Sequence, residues 1–228
     1  MSKINVIGVA AQLQNGKDTL ADYLQKKLND HQMDWAWPGW GRSAFAHSVK
    51  KVFCDMFEVD FDFIEKWKTI PECPPGFTMP VRQSLQFIGD GFRKIVPTIW
   101  IDLAFKNICG RFDQAIISDV RYINELERIK VEGGVNILVW RKGKENDDPN
   151  GSEAQLRPIV DFFAKRFEET GQDGAVKILP EEEAPNGAEL IDIFIANNGS
   201  IEDLYHKVDK IVVPYIEKHF TGKGEQNG

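Results

Sequence analysis

The sequence predicts an α/β fold, a parallel sheet with helices on both faces, and three observations carry that reading. Short apolar runs of strand length alternate with amphipathic stretches of helical period. The first apolar run, Lys3-Ile-Asn-Val-Ile-Gly-Val9, ends in glycine and small residues and leads directly to a helix start. The 228 residues, 42% hydrophobic and 28% charged, suffice for one well-covered core of ordinary globular composition.

In chain order, residues 3–9 read as a buried strand. Residues 17–29 follow as a helix with Leu20, Tyr23, Leu24 and Leu28 on one stripe. The segment 31–43 is an insert holding Trp35, Trp37 and Trp40, three of the six tryptophans. Its rings fit either a cover over the core, a dimer contact or a stacking platform for a base. Phe45, Val49, Val52, Phe53 and Met56 give a helix over 44–57, followed by a proline-rich loop from Pro71 to Pro80. Helical period returns over 81–95, with Gly89-Asp90-Gly91 as an expected kink or break, and again over 98–109.

Gln114–Ser118 is the second buried strand, 123–132 a short helix and Val135–Trp140 the third strand. The polar stretch 142–150 is expected to be mobile, with a helix from Ser152 to Glu169 beyond it. Pro180–Gly187 reads as a solvated loop and Ile191–Ala196 as the fourth strand. Ser200-Ile-Glu-Asp203 has the form of a capping box and starts a final helix reaching His219. Residues 1–220 are thus expected to form a single domain, with 221–228 a flexible tail.

Composition narrows the function. The formal net charge is −7, unsuited to tight nonspecific duplex binding, so no direct nucleic-acid partner is expected. Cys54, Cys73 and Cys109 form no Cys-x-x-Cys pair and the four histidines do not cluster, which speaks against a disulfide framework or a zinc site. No apolar stretch approaches the ~20 residues of a membrane helix. Met1-Ser2-Lys3 runs into a strand pattern with no cleavage region, which favours the cytoplasm.

The first strand is followed by Ala11-Gln-Leu-Gln14-Asn15-Gly16-Lys17-Asp18-Thr19. The phosphate-loop pattern is Gly-x4-Gly-Lys-[Ser/Thr]. Gly16 and Lys17 match it. Ala11 replaces the first glycine, which is tolerable where the backbone avoids positive φ, and Asp18 stands where a magnesium-binding hydroxyl is usual. Backbone N–H groups of such a loop face a β-phosphate, Gly16 allows close approach, and Lys17 supplies a point charge. A carboxylate beside phosphates is repelled unless a cation intervenes, which makes Asp18 a candidate Mg²⁺ ligand. The plainer reading is a tight strand-to-helix turn that happens to contain Gly-Lys.

A phosphorylated second substrate needs arginines nearby. Arg82, Gln86 and Arg93 fall on one polar stripe of the 81–95 helix, which spacing alone leaves open as a solvated face or an anion site. Ser118-Asp119-Val-Arg121-Tyr-Ile-Asn124-Glu125 follows a buried strand, at the carboxyl edge where α/β sheets bind ligands.

Together, Gly16-Lys-Asp-Thr19, Phe45-Ala-His-Ser-Val-Lys50, Arg82-Gln-Ser-Leu-Gln86 with Gly89 and Arg93, Trp100, Ser118 to Glu125, and Ile191 to Leu204 resemble the bacteriophage deoxynucleoside monophosphate kinases. The matches run in order along about nine-tenths of the chain. The resemblance implies a P-loop kinase fold like adenylate kinase, with an NMP-binding segment and a lid-like segment at about 141–175. It implies ATP and Mg²⁺ as cofactors, a deoxynucleoside monophosphate (dNMP) as acceptor, a homodimer, and a host-cytoplasm location if the chain is phage-encoded.

Carried over residue by residue, the loop Gln14 to Thr19 would hold the donor, with Lys17 and Thr19 on its phosphates. Lys50, Arg82, Arg93 and Arg121 would surround the acceptor and the transferred phosphoryl group, making Lys17, Arg93, Asp119 and Arg121 the catalytic set. Asp119 would act on the metal or orient Arg121. Gln86, Asn124 and Glu125 would read base or sugar, with Trp100 and Glu153 also at the substrate. Tyr122-Ile123 departs from the family's usual Phe-Pro, and Asn150-Gly-Ser152-Glu153 from a His-x-Ser-Glu segment. One of Arg141, Arg157 and Arg166 would come over the transfer site with the lid. Two other readings are a P-loop kinase of the dephospho-coenzyme A type and a nucleotide-binding regulatory module with no transfer.

Overall fold

The computed structural model describes residues 4–30, 39–144, 154–178 and 183–221. In chain order these form β1 (Asn5–Ala11), α1 (Lys17–Asp30), β2 (Gly41–Ser43), α2 (Phe45–Phe57), α3 (Phe61–Trp67), α4 (Val81–Ile95) and α5 (Ile99–Cys109). Then follow β3 (Gln114–Val120), α6 (Ile123–Val131), β4 (Val135–Trp140), α7 (Arg157–Thr170), β5 (Gly174–Ala175), β6 (Ile193–Ala196), α8 (Ile201–Lys207) and α9 (Val213–Thr221). They separate into two compact units, Met1–Arg42 with Arg111–Gly228, and Ser43–Gly110.

The first unit is built on β1. Val6, Ile7, Val9 and Ala10 are fully buried, as a strand covered on both faces requires. The sheet order is β2-β3-β1-β4-β6-β5, and β1 is parallel to both β3 and β4. Alternation along β1 sorts the helices. Ile7, Val9 and Ala11 pack with Leu20, Leu24 and Leu28 of α1 and Val213 and Ile216 of α9. Gly8, on the opposite face, lies against Ile129 of α6. Helices therefore cover both faces, and the sheet is mostly parallel.

The second unit, α2 to α5, closes around Phe53, Ile64, Val81, Ile88 and Trp100. Phe53, Phe57, Phe63 and Phe77 stack and tilt within 6 Å of one another in successive pairs. Cys54 is buried here, while Cys73 and Cys109 are exposed.

Several local expectations change. The helix over 81–95 runs unbroken through Gly89-Asp90-Gly91. Each glycine disfavours helix by only about 1 kcal/mol, and α4 is tied down where the Trp100 indole N–H donates to the Gly89 carbonyl at 2.9 Å. Helix α7 runs over Arg157–Thr170, with Pro158 in its first turn; Ser152, where the expected helix begins, lies outside the described residues. At the first turn proline is tolerated.

The two-residue β5 is antiparallel to β6, so the sheet is not wholly parallel. The last helix contains a π-helical turn, Val208–Val212, just before Pro214, which lacks the N–H that an α-helical ladder needs there. Helix α3 has a sequence signal that the reading missed: Asp60, whose side chain accepts from Phe63 N at 2.7 Å. The capping box at Ser200 forms as expected, Asp203 N donating to Ser200 Oγ at 3.1 Å and Ser200 N to Asp203 Oδ2 at 2.8 Å. Parts of the expected mobile stretch and solvated loop (145–150 and 179–182) and most of the tail (222–228) lie outside the described residues.

Trp40 is 5% exposed, belongs to the α1 core and sits 5.7 Å from Phe220, so this ring covers core. Trp35 and Trp37 lie outside the described residues.

Close approach fixes Gly134 between α6 and β4. A Cβ there would lie 2.4 Å from the Val6 carbonyl and 2.8 Å from Ile129 Cγ2. Backbone at such a distance has no rotamer to give, so Gly134→Ala is expected to lower stability by about 2 kcal/mol or more, read from the midpoint of urea unfolding.

Candidate active site

The turn after β1 opens at the carboxyl edge of the sheet. Ala10 is in register with Val120 of β3 and Ala11 with Val139 of β4, so the chain leaves β1 beside the ends of both neighbours. Ala11 is not among the residues with positive φ; within the loop those are Gln14 at 63° and Gly16 at 91°. The alanine thus replaces the usual glycine without backbone strain. Leu20 N donates to Gly16 O at 3.0 Å, closing the first turn of α1. The N–H groups of Gly16 to Thr19 precede that bond and have no acceptor within the helix, which is the arrangement that binds phosphate.

The chain just past two strands, β4 and β6, fastens the loop through Asn15, which is 1% exposed. Arg141 N, just past β4, donates to its Oδ1 at 2.5 Å. Its Nδ2 reaches Leu13 O at 3.1 Å and Lys144 O at 3.3 Å. Asn197, just past β6, donates from Nδ2 to Asn15 O at 3.0 Å, while its own N–H donates to Trp140 O at 2.6 Å. Asn197 was not singled out from sequence. Its signal was a polar side chain directly after a buried strand.

Lys17 is largely covered and its Nζ lies 2.6 Å from Asp18 Oδ2. Asp18 is 65% exposed, and Arg42 NH2 stands 3.8 Å from its other oxygen. Arg42 NH1 also meets Asp22 Oδ1 at 2.7 Å. Arg42, unread in the sequence, therefore completes a charged cluster on the first turns of α1, and Thr19 is half-buried beside it. Gln14 is exposed.

Gln12 differs from its neighbours. It is 2% exposed, and neither its Nε2 nor its Oε1 has a hydrogen-bond partner among the described residues. A buried unsatisfied polar group costs about 1–3 kcal/mol.

Asp119 and Arg121, at and just past the end of β3, are half-buried, as is Asn124. Glu125 is 2% exposed, and its Oε2 accepts from Arg121 N at 2.8 Å and Tyr122 N at 3.2 Å. Its carboxylate is thereby engaged in fixing the turn that carries Arg121. Of the three arginines expected in a lid, Arg141 adjoins the loop through its backbone, whereas Arg166 NH1 donates to Lys177 O at 3.2 Å. Arg157 opens α7. Glu153 lies outside the described residues.

In the second unit, Arg82 is exposed on α4 and Gln86 half-buried one turn on. Arg93 NH1 lies 3.2 Å from Asp90 Oδ1 and crosses the bare Gly89 backbone. Trp100 is 1% exposed, its indole N–H engaged by Gly89. Lys50 Nζ pairs with Glu65 Oε1 at 2.7 Å, and Lys68 holds the other oxygen of Glu65. Bonding to Lys50, then to Lys68, holds the Glu65 carboxyl below its ordinary value.

No protein-family model matches the chain. A mimivirus protein provisionally named deoxynucleotide monophosphate kinase is 26% identical over 219 residues, covering 89% of this chain and 93% of its own length. The deoxynucleotide monophosphate kinase of Escherichia phage RB69 is 29% identical over 117 residues, half of this chain and 36% of the phage protein. The relatives thus carry the family name that the sequence pattern resembles.

Gly16 is doubly required: its φ is +91°, and a Cβ would lie 2.3 Å from Asn197 Nδ2. Gly16→Ala is expected to break the Asn197–Asn15 bond and to destabilise the protein by about 2 kcal/mol, read from the midpoint of urea unfolding. For Glu65, a depressed folded-state pKa means a contribution present above the unfolded value of 4.5 and lost as pH falls through the folded value. Glu65→Gln is therefore expected to be less stable than the parent at neutral pH, with the difference shrinking in melts taken at progressively lower pH below that point.

Proposed function

We propose that this chain is a deoxynucleoside monophosphate kinase, moving the γ-phosphoryl group of ATP to the phosphate of a dNMP to give the dNDP. The observation that carries the reading is the loop from Ala11 to Thr19. Its left-handed residues at 14 and 16, with a helix N-terminus behind them, support its reading as a phosphate cradle. The mimivirus relative, similar over nearly its whole length, supports the choice of acceptor.

The acceptor phosphate oxygen is already a nucleophile, so the protein needs to align and to neutralise charge. The orphan N–H groups of Gly16 to Thr19 take the β-phosphate. Lys17 exchanges Asp18 for the β- and γ-phosphates, a move made easy by an exposed partner that Arg42 also attracts. Mg²⁺ bound with the triphosphate would supply further neutralisation. Asp18, exposed on the first turn of α1, and Asp119, the last residue but one of β3 beside β1, would hold it, each a single carboxylate of the kind Mg²⁺ takes alongside substrate phosphates.

Arg82, Arg93 and Arg121 are assigned to the acceptor and the transferred group. Lys50 joins them by giving up Glu65. Gln86 and Asn124 are assigned to base or sugar, and Arg141 is the lid arginine best supported. Glu125 and Trp100 are assigned to positioning, the first of the Arg121 turn and the second of the Gly89 backbone under Arg93. The chain is taken as one kinase domain with residues 43–110 as its NMP-binding insertion, as a homodimer, and as acting in the cytoplasm where dNMPs are found.

The test is a coupled assay for ADP formation with dGMP, dTMP, dCMP, dAMP and their ribo counterparts under excess ATP-Mg²⁺. Turnover with at least one dNMP is expected, and Lys17→Ala should lower it by about a hundredfold or more. Turnover that survives Lys17→Ala, or activity confined to dephospho-coenzyme A, would discard the proposal. ATP binding with no transfer to any acceptor would leave a regulatory module.

A further inference from the structure

We infer that Gln12 is a phosphate-contacting residue, its carboxamide withheld in the ligand-free loop and turned to the bound nucleotide when the loop is occupied. Gln12 lies one residue past β1, where Ala10 and Ala11 are in register with the strand ends that lead into Arg121 and Arg141. It is therefore set among the groups assigned to phosphate. Yet both polar atoms of its amide are buried and unpaired among the described residues. Three other buried polar side chains at this edge have a use. Asn15 and Asn197 bind the loop backbone, and Glu125 binds the Arg121 turn.

An amide kept dry and unpaired is retained against its desolvation cost, and a ligand that completes its bonding explains the retention. Because its atoms are inaccessible, contact requires the loop to shift. The residue two positions on permits that: Gln14 holds φ at 63° without being glycine, a strained state that sits at ligand clamps and switch regions. On occupation Nε2 donates to a phosphate oxygen, leaving Oε1 for a water of the phosphate's hydration shell. The ligand chemistry is a phosphate oxyanion, whose source is either the donor triphosphate or the acceptor monophosphate. The inference rests on the phosphate-cradle reading of the loop and not on which acceptor is phosphorylated.

The full chain carrying Gln12→Leu, close in volume and without polar atoms, is compared with the parent by thermal melts and by titration with ATP, tripolyphosphate and dGMP separately. The ligand-free melting temperature is expected to hold or rise, since an unpaired amide is removed. Affinity for at least one of the three should fall more than threefold. Loss for ATP and tripolyphosphate identifies the donor as the source, and loss for dGMP alone identifies the acceptor. Gln12→Glu, isosteric but anionic, should weaken the same ligand at least as much.

A lower ligand-free melting temperature in Gln12→Leu would show that the amide already has a structural use and would overturn the inference. So would affinities all within threefold of the parent, or a parent that binds none of the three. A parent that binds ATP and transfers nothing refutes the kinase reading alone, because the Gln12 measurements need no turnover.

Discussion

Everything at the candidate donor site depends on keeping the N–H groups at the start of α1 free of protein acceptors. A strand-to-helix turn left to itself collapses onto its own helix end, because orphan donors seek any nearby oxygen. Asn15 prevents this. Its side chain takes the Arg141 N–H and reaches the carbonyls of Leu13 and Lys144, and its carbonyl is held by Asn197. The loop is fastened from outside by the chain just past β4 and β6. The parallel sheet makes this possible, since β4 and β6 deliver Arg141 and Asn197 to the same edge as the end of β1.

The charged groups are arranged on the same logic. Lys17 is mostly covered, and its ammonium rests on the adjacent Asp18. Arg42 brings a second cation to that carboxylate from an edge strand. Surface ion pairs of this kind contribute little to stability. Their consequence here is on the positions of Lys17 and Asp18, and it shows how a carboxylate is accommodated in the loop proposed to bind phosphate.

Burial divides the residues proposed for contact from those proposed for support. Arg82 and Asp18 are exposed, and Arg93, Arg121 and Asn124 half-buried, consistent with the proposed contacts. Trp100 and Glu125 are at most 2% exposed and have their polar atoms engaged by backbone. A motif resemblance cannot make this distinction, because a residue that aims an arginine recurs in a motif as faithfully as the arginine.

By itself the sequence determined the α/β order, the central strand, the strand-to-helix turn at Gly16-Lys17 and most helices. These follow from local period, small residues at the strand end and a capping box, all of them properties of neighbouring residues. It also pointed to the segments that carry Arg82, Arg93 and Arg121. Tertiary structure alone decided that α4 passes straight through Gly89-Asp90-Gly91, that β5 pairs antiparallel, that Trp40 is core, and that Asn197 and Arg42 adjoin the turn after β1. It likewise decided that the Gln12 amide is buried without a hydrogen-bond partner among the described residues. Each of these depends on residues distant in sequence, such as the indole of Trp100 on Gly89 or the carbonyl of Asn15 on Asn197, and no local pattern records where a distant hydrogen-bond partner will arrive.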